Sequence, residues 1–177
     1  GEIELGFRHA GPCTIVAITG TNGKTTTTNL VYHLLKTAGL NARMAGNVGK
    51  SFAEVVADDL AKGNLSKDRV FVLEVSSFQL DDISTFKPDI SILLNITPDH
   101  LDRYRSVDDY GAAKARIFEN QGAAQVAVLN ADDPLVERIR TRARRLAFSR
   151  ARDLPLGAWL KDGVFLADAT GKGPRVY

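Results

Sequence analysis

Short apolar runs alternate along the chain with stretches in which apolar residues recur every three or four positions, and polar clusters separate the two. Residues 14–19 form the first apolar run and predict a strand, and residues 24–38, with Leu30, Leu34 and Leu35 at helical spacing, predict a helix stopped by Gly39. A short strand is expected over 42–45. Ser51 is placed to cap a helix reaching Ala61, with Glu54 completing a capping box. The polar stretch 62–68 reads as a loop. Residues 70–75 and 90–95 are strands, the former without alternation, as when both sheet faces are covered. A helix over 106–120, a strand over 125–129, a helix over 132–145 with Pro134 in its first turn, and a short strand over 146–148 follow. Runs at 158–160 and 164–166 flank Lys161-Asp162-Gly163, a hairpin signal, and residues 168–177 show no closing element.

Strands alternating with helices predict an α/β fold, a doubly wound and mainly parallel sheet with a small β-hairpin region near the C-terminus. Sites in such sheets lie beyond the carboxyl ends of the strands. Four polar clusters fall there, at 19–25, 74–79, 95–102 and 130–133.

The first cluster carries the strongest chemistry. Thr19-Gly20-Thr21-Asn22-Gly23-Lys24-Thr25 is a glycine-rich turn between a strand and a helix, whose inward N–H groups can cradle phosphate oxygens. Lys24 would supply charge to the terminal phosphates and the Thr25 hydroxyl a magnesium ligand. Ile18 stands where the general phosphate-loop pattern has its first glycine. Glu74 ends an apolar strand, where an unpaired carboxylate is costly to bury; a magnesium ion beside the phosphate loop would offset that cost, unless the strand end is solvated. His100 lies between Asp99 and Asp102, either of which could fix its tautomer as carboxylates do for metal-bound histidines; equally, the acids could cap the next helix. Lys114, taken alone, is a solvated lysine on a helix.

Composition narrows the classes. With 177 residues, 44% hydrophobic and 25% charged, the chain suits one domain with a sizeable core. A net charge of +2 is too small to mark nucleic acid or an anionic membrane as the main partner. Arg138, Arg140, Arg142, Arg144 and Arg145 crowd one expected helix, but several fall in its last turns, where cations suit the helix dipole. The lone cysteine, Cys13, forms no internal disulfide and fits a reducing compartment. No run approaches ~18 unbroken apolar residues, so no transmembrane helix is expected. Nor does the N-terminus have the layout of a signal peptide; a cytoplasmic monomer is the expectation.

Gly20-Thr21-Asn22-Gly23-Lys24-Thr25-Thr26, Gly46-Asn47-Val48-Gly49, the run 73–80 (Leu-Glu-Val-Ser-Ser-Phe-Gln-Leu), the run 95–104 and Asn130-Ala131-Asp132-Asp133 occur in the order seen in the Mur ligases. The chain resembles that family, and the Ser-Ser-Phe-Gln-Leu and Asp99-to-Tyr104 runs look most like its D-glutamate-adding member. The resemblance implies an ATP-driven amide ligation in peptidoglycan precursor synthesis, with UDP-N-acetylmuramoyl-L-alanine and D-glutamate as small-molecule substrates. It also implies that Gly20, Thr21, Asn22, Gly23, Lys24, Thr25 and Thr26 hold the nucleotide phosphates and that Asn130 lies near the base and ribose. Two magnesium ions are implied, Thr25 and Glu74 binding one and Glu74 with His100 helping to hold the second. Lys114 matches the family's carbamylated lysine, whose anionic oxygens suit a metal site. Lys24, His100 and Lys114 would be catalytic, and Asn47, Ser76 and His100 would face the muramoyl-alanine substrate. The reduced glycine content of the loop is the family's own form.

Family members have a UDP-binding domain, a central ATPase domain and a C-terminal domain that brings in the amino acid. Residues 1–12 are then expected to be an inter-domain linker remnant and 13–177 a C-terminally incomplete central domain, which alone would bind ATP weakly and not ligate. The alternatives are another Mur or folylpolyglutamate-type ligase core, against which Phe78-Gln79 argue, a non-catalytic nucleotide-binding module, and nucleic-acid binding through the arginines.

Overall fold

The computed structural model describes residues 1–99 and 102–176. Their centre is a nine-stranded sheet. Six strands follow the sequence pattern closely: β1 (Thr14–Thr19), β2 (Asn41–Gly46), β3 (Arg69–Glu74), β4 (Ile90–Leu93), β5 (Val126–Asn130) and β6 (Arg144–Ser149). Then β7 (Gly157–Lys161) and β8 (Val164–Asp168) form the expected hairpin, and β9 (Arg175–Val176) adds a short edge strand in the region read as open-ended. The order is β2-β3-β1-β4-β5-β6-β7-β8-β9, parallel through β7 and antiparallel beyond it. At the hairpin, Asp162 (φ 50°) and Gly163 (φ 76°) both take left-handed backbone, the pair of conformations that a two-residue turn needs to match strand twist.

Helices flank the sheet unequally. On one face, α1 (Glu2–His9), α3 (Phe52–Ala61), α4 (Ser77–Asp81) and α5 (Val107–Ala115) bury Ile3, Phe52, Val56, Leu80 and Tyr110 against Ile15, Ala17, Phe71, Leu73, Leu93 and Leu129. On the other face, α2 (Lys24–Thr37) lays Val31, Tyr32 and Leu35 on Val16, Ile18 and Val72. Leu30 and Leu34, expected at the same interface, are exposed. Leu30 instead borders a groove of about 520 Å³ formed with Ile92, Leu94, Phe148, Leu160 and Phe165, beyond the strands that α2 covers.

Three expectations change. The helix expected over 132–145 is one turn, α6 (Pro134–Glu137), and the arginines that follow lie in a loop and on β6. There they act as clamps on carbonyls: Arg145 donates to Ile139 O (3.0 Å) and Glu137 O (3.2 Å), Arg142 to Glu119 O (3.1 Å) and Arg144 to Ala169 O (3.0 Å). The helix over 106–120 is α5 followed by a 3₁₀ turn at Arg116–Phe118. Ser51 does cap α3 by accepting from Glu54 N (3.2 Å), but the Glu54 carboxylate pairs with Lys50, and the two-way capping box occurs at Ser76 and Gln79 instead.

The segment expected as a linker carries α1, and two carboxylates fasten it. Glu4 is buried and accepts from the backbone N–H groups of Ser84, Thr85 and Phe86, from the Thr85 hydroxyl (2.6 Å) and from Arg8. Burial opposes its ionisation, but these hydrogen bonds outweigh burial and hold its pKa at about 2. Glu4 therefore binds its proton less tightly in the folded chain than in the unfolded one. Its stabilisation is complete above the ordinary value of 4.5 and is lost as pH falls from there through about 2. Glu4→Gln is expected to cost about 1.5–3 kcal/mol at neutral pH. In urea unfolding, its deficit against the wild type should shrink as pH falls below 4.5.

Candidate functional site

At the C-terminal end of central strand β1 the chain turns at Gly20 (φ 155°) and enters α2 through Gly23 (φ 81°). A Cβ on Gly20 would lie 3.0 Å from the Leu94 side chain, and Gly23 adopts left-handed backbone, so both positions suit glycine. Gly23 carries no side chain to cap α2, which leaves the N–H groups of its first turn available to an anion at the positive end of the helix dipole.

A neighbouring strand end braces this turn. Thr21 N donates to Asn95 O (3.0 Å) and Asn22 N to Asn95 Oδ1 (2.8 Å), while Asn95 Nδ2 returns a bond to Asn22 O (3.0 Å). Thr21 Oγ1 accepts from Thr97 N (3.0 Å). Asn95 was visible only as part of a motif; its role as a two-way clip emerges from geometry. Asp133, likewise visible only as part of a motif, is a second brace, capping α6 with one oxygen and accepting from Ile96 N (2.8 Å) with the other.

Two lysines meet at one oxygen. Lys24 Nζ folds back to donate to Gly20 O (3.0 Å) and Thr21 O (2.9 Å). Lys114 Nζ, reaching from α5, donates to the same Gly20 O (2.9 Å) and sits 4.4 Å from the Tyr110 ring centroid. Far from being a solvated surface lysine, Lys114 is 1% exposed. Desolvation first, then the nearby Lys24 charge, drive its pKa down to about 7, with Asp99 acting in the opposite sense. A sizeable share of Lys114 is thus an uncharged, nucleophilic amine at neutral pH.

Glu74 closes the other flank. It is buried, and strand pairing sets it opposite Ile18 on β1 and Gly46 on β2. A Cβ on Gly46 would fall 2.1 Å from the backbone oxygen of Glu74, so glycine lets β2 close against the β3 backbone and delivers Asn47, whose Nδ2 donates to Glu74 Oε1 (3.1 Å). Two residues further along, Ser76 caps the start of α4. Arg103 and Tyr104 dock on the same helix: the Tyr104 hydroxyl donates to Asp81 (3.0 Å), as does Arg103 Nη2 (3.2 Å), whose guanidinium carbon lies 4.6 Å from the Phe78 ring centroid.

Strand pairing and hydrogen bonding thus group Gly20, Thr21, Asn22, Lys24 and Lys114, and join Glu74 to Asn47 beside them. Thr25 and Thr26 are exposed on the first turn of α2. Asn130 Nδ2 donates to Leu94 O (2.8 Å) and Asn130 Oδ1 accepts from Asp132 N (2.9 Å), so the amide ties two strand ends together and keeps one N–H and one lone pair. His100, expected to contact metal and substrate, lies outside the described residues. Among the described residues no three His, Cys, Asp or Glu side chains cluster as a metal centre, and no helix is long and apolar enough to cross a membrane.

The model of the Mur ligase middle domain matches residues 18–152. The chain belongs to this family. Curated relatives include the UDP-N-acetylmuramoylalanine–D-glutamate ligases of Pelotomaculum thermopropionicum, 45% identical over 97% of this chain and 36% of the relative, and of Geobacter metallireducens, 45% identical over 98% and 37%. The chain therefore spans a little over a third of these relatives. Among solved structures, MurF from Acinetobacter baumannii superposes with a TM-score of 0.70 at 19% identity over 99% of this chain and 41% of that one. The MurF ligase of Thermotoga maritima, solved in complex with ADP, gives 0.67 at 21% identity over 99% and 43%. At such identities these structures speak to the shared fold.

Because the folded chain holds the Lys114 proton less tightly than the unfolded chain, the penalty for burying this ammonium is full below about pH 7 and fades as pH rises towards the ordinary 10.5. Lys114→Met should raise the thermal midpoint at pH 6.5, with a smaller gain at pH 9. Scanning calorimetry at the two values checks the sign.

Proposed function

We propose that this chain is the central ATP-binding domain, residues 13–177, of a ligase that joins D-glutamate to UDP-N-acetylmuramoyl-L-alanine in cytoplasmic peptidoglycan precursor synthesis. The observation that carries this reading is the turn from Gly20 to Thr25, with Lys24 and Lys114 bonded to it and Glu74 paired to the strand that feeds it. Relatives bearing that ligase name at 45% identity support the choice of substrates. The linker role of residues 1–12 and the monomeric state belong to the same reading.

The substrates and groups fit the residues present. The glycine cradle and the uncapped start of α2 suit the phosphates of ATP. Thr25, Glu74 and His100 offer the hard oxygen and imidazole donors that two magnesium ions would take, and those ions would neutralise charge on the phosphoryl oxygens. Lys114, buried and with its pKa near 7, has the uncharged amine that carbamylation requires; as a carbamate it would no longer add a second cation beside Lys24.

In this reaction the muramoyl-alanine carboxylate oxygen bonds to the γ-phosphorus of ATP, and the bond to ADP breaks. The amine nitrogen of D-glutamate then attacks the acyl carbon of the resulting acyl phosphate, loses a proton and expels phosphate. The chain's part is placement and charge. The first-turn N–H groups of α2 orient the triphosphate. Lys24 exchanges its loop carbonyls for the terminal phosphates, meeting charge that grows on the transferred group. Asn47, Ser76 and His100 hold the acceptor substrate in line.

A ligase of the relatives' full length containing this chain tests the reading. It should turn ATP over to ADP and phosphate continuously only when UDP-N-acetylmuramoyl-L-alanine and D-glutamate are both present; stronger turnover with another amino acid would contradict the assignment. Lys24→Ala and Lys114→Ala should each lower kcat by about 10²–10³-fold or more. Residues 1–177 alone should bind ATP weakly and form no product, and efficient ligation by that piece would overturn the domain reading.

A further inference from the structure

Ser76 stands two residues beyond Glu74, and its hydroxyl is not free to choose its role. Ser76 Oγ donates to Gln79 Oε1 (3.0 Å) and accepts from Gln79 N (3.3 Å), while Ser76 N also donates to Gln79 Oε1 (2.9 Å). The same amide's nitrogen, Gln79 Nε2, donates to Glu2 Oε1 (2.6 Å), across 77 positions of sequence. The other Glu2 oxygen accepts from Ala53 N (3.3 Å) in the first turn of α3, fixing the carboxylate from behind.

This chain of bonds has one polarity. A carboxylate offers only lone pairs, so Glu2 compels Gln79 to turn its NH₂ towards α1 and its oxygen towards Ser76. That oxygen takes the hydroxyl proton of Ser76, and Gln79 N occupies one of the two hydroxyl lone pairs. A single lone pair on Ser76 Oγ remains.

We propose that Glu2 is a positioning residue which, through Gln79, sets Ser76 as a hydrogen-bond acceptor for an N–H or O–H group of the muramoyl-alanine substrate. This rests on the ligase reading above. It assigns a function to α1 that its place ahead of β1 does not suggest: the helix is pinned by Glu4, and Glu2 extends from it to the segment after β3. It also sets a chemical demand, since a substrate group that could only accept, such as a carboxylate, would find no donor in the Ser76 side chain.

The relay can be broken at either end and rebuilt without changing shape. Glu2→Gln leaves one oxygen to serve both Ala53 N and Gln79 Nε2, and Gln79→Glu sets two carboxylates face to face. In the double variant, the amide introduced at position 2 donates to the carboxylate introduced at position 79, and that carboxylate still accepts from Ser76, which restores the relay. In the full-length ligase, each single variant should raise KM for UDP-N-acetylmuramoyl-L-alanine about five- to tenfold, the worth of roughly one hydrogen bond, and leave KM for ATP within about twofold. The double variant should recover most of the loss. Equal changes in both KM values, no change, or additive losses in the double variant would overturn the proposal while leaving the ligase reading intact. Failure of the unsubstituted enzyme to ligate would remove both.

Discussion

The carbonyl oxygen of Gly20 accepts from two ammonium groups, Lys24 and Lys114, and the rest of the site is arranged around that convergence. One lysine comes from the helix that the turn begins, the other from a helix 94 positions later in sequence. Holding two cations at one oxygen is tolerable only because a backbone dipole lies between them and because one cation, buried against Tyr110, readily gives up its proton. The arrangement suits a turn built to receive negative charge. Phosphate oxygens would relieve the repulsion between the two lysines, and so the residues that destabilise the turn are those equipped to bind there.

Sheet order explains why this can be assembled from distant residues. Placing β1 between β3 and β4 brings Glu74 and Asn95 to either side of the turn, and parallel pairing puts all three C-terminal ends at one edge. The close approach at Gly46 adds β2 and Asn47 to the same edge. Asn95 then satisfies amides that would otherwise move, so the loop is shaped by hydrogen bonds from its neighbour as well as by its own glycines.

Much of this was legible in the sequence. Strands buried on both faces announce themselves as unbroken apolar runs, and the turn from Gly20 to Thr25 carries its chemistry in consecutive residues. What escaped depends on partners far away in sequence. α1 has no capping side chain and only eight residues; Glu2 and Glu4 hold it through contacts with residues 51 to 82 positions distant. Residues 138–145 were expected to continue the helix that Pro134 opens, yet Arg, Ile, Arg, Thr, Arg and Ala alternate there, and the guanidinium groups find backbone carbonyls that a longer helix would have consumed. Leu30 and Leu34 have core spacing, but α2 covers only the strands near β1, and periodicity cannot say how wide a sheet lies beneath a helix. Lys114 reads as a surface lysine until the fold buries it; the resemblance to the Mur ligases, not the local pattern, singled it out.

On the proposed reading, the turn grips a triphosphate through Lys24 with Glu74 at its side. A crystal structure of the full-length protein with magnesium and a non-hydrolysable ATP analogue tests it most directly. Lys24 Nζ is expected to leave the Gly20 and Thr21 carbonyls for the β- and γ-phosphates, and Glu74 to face a magnesium ion bound to those same phosphates. A nucleotide seated elsewhere, with Lys24 still bonded to its own loop, would contradict it.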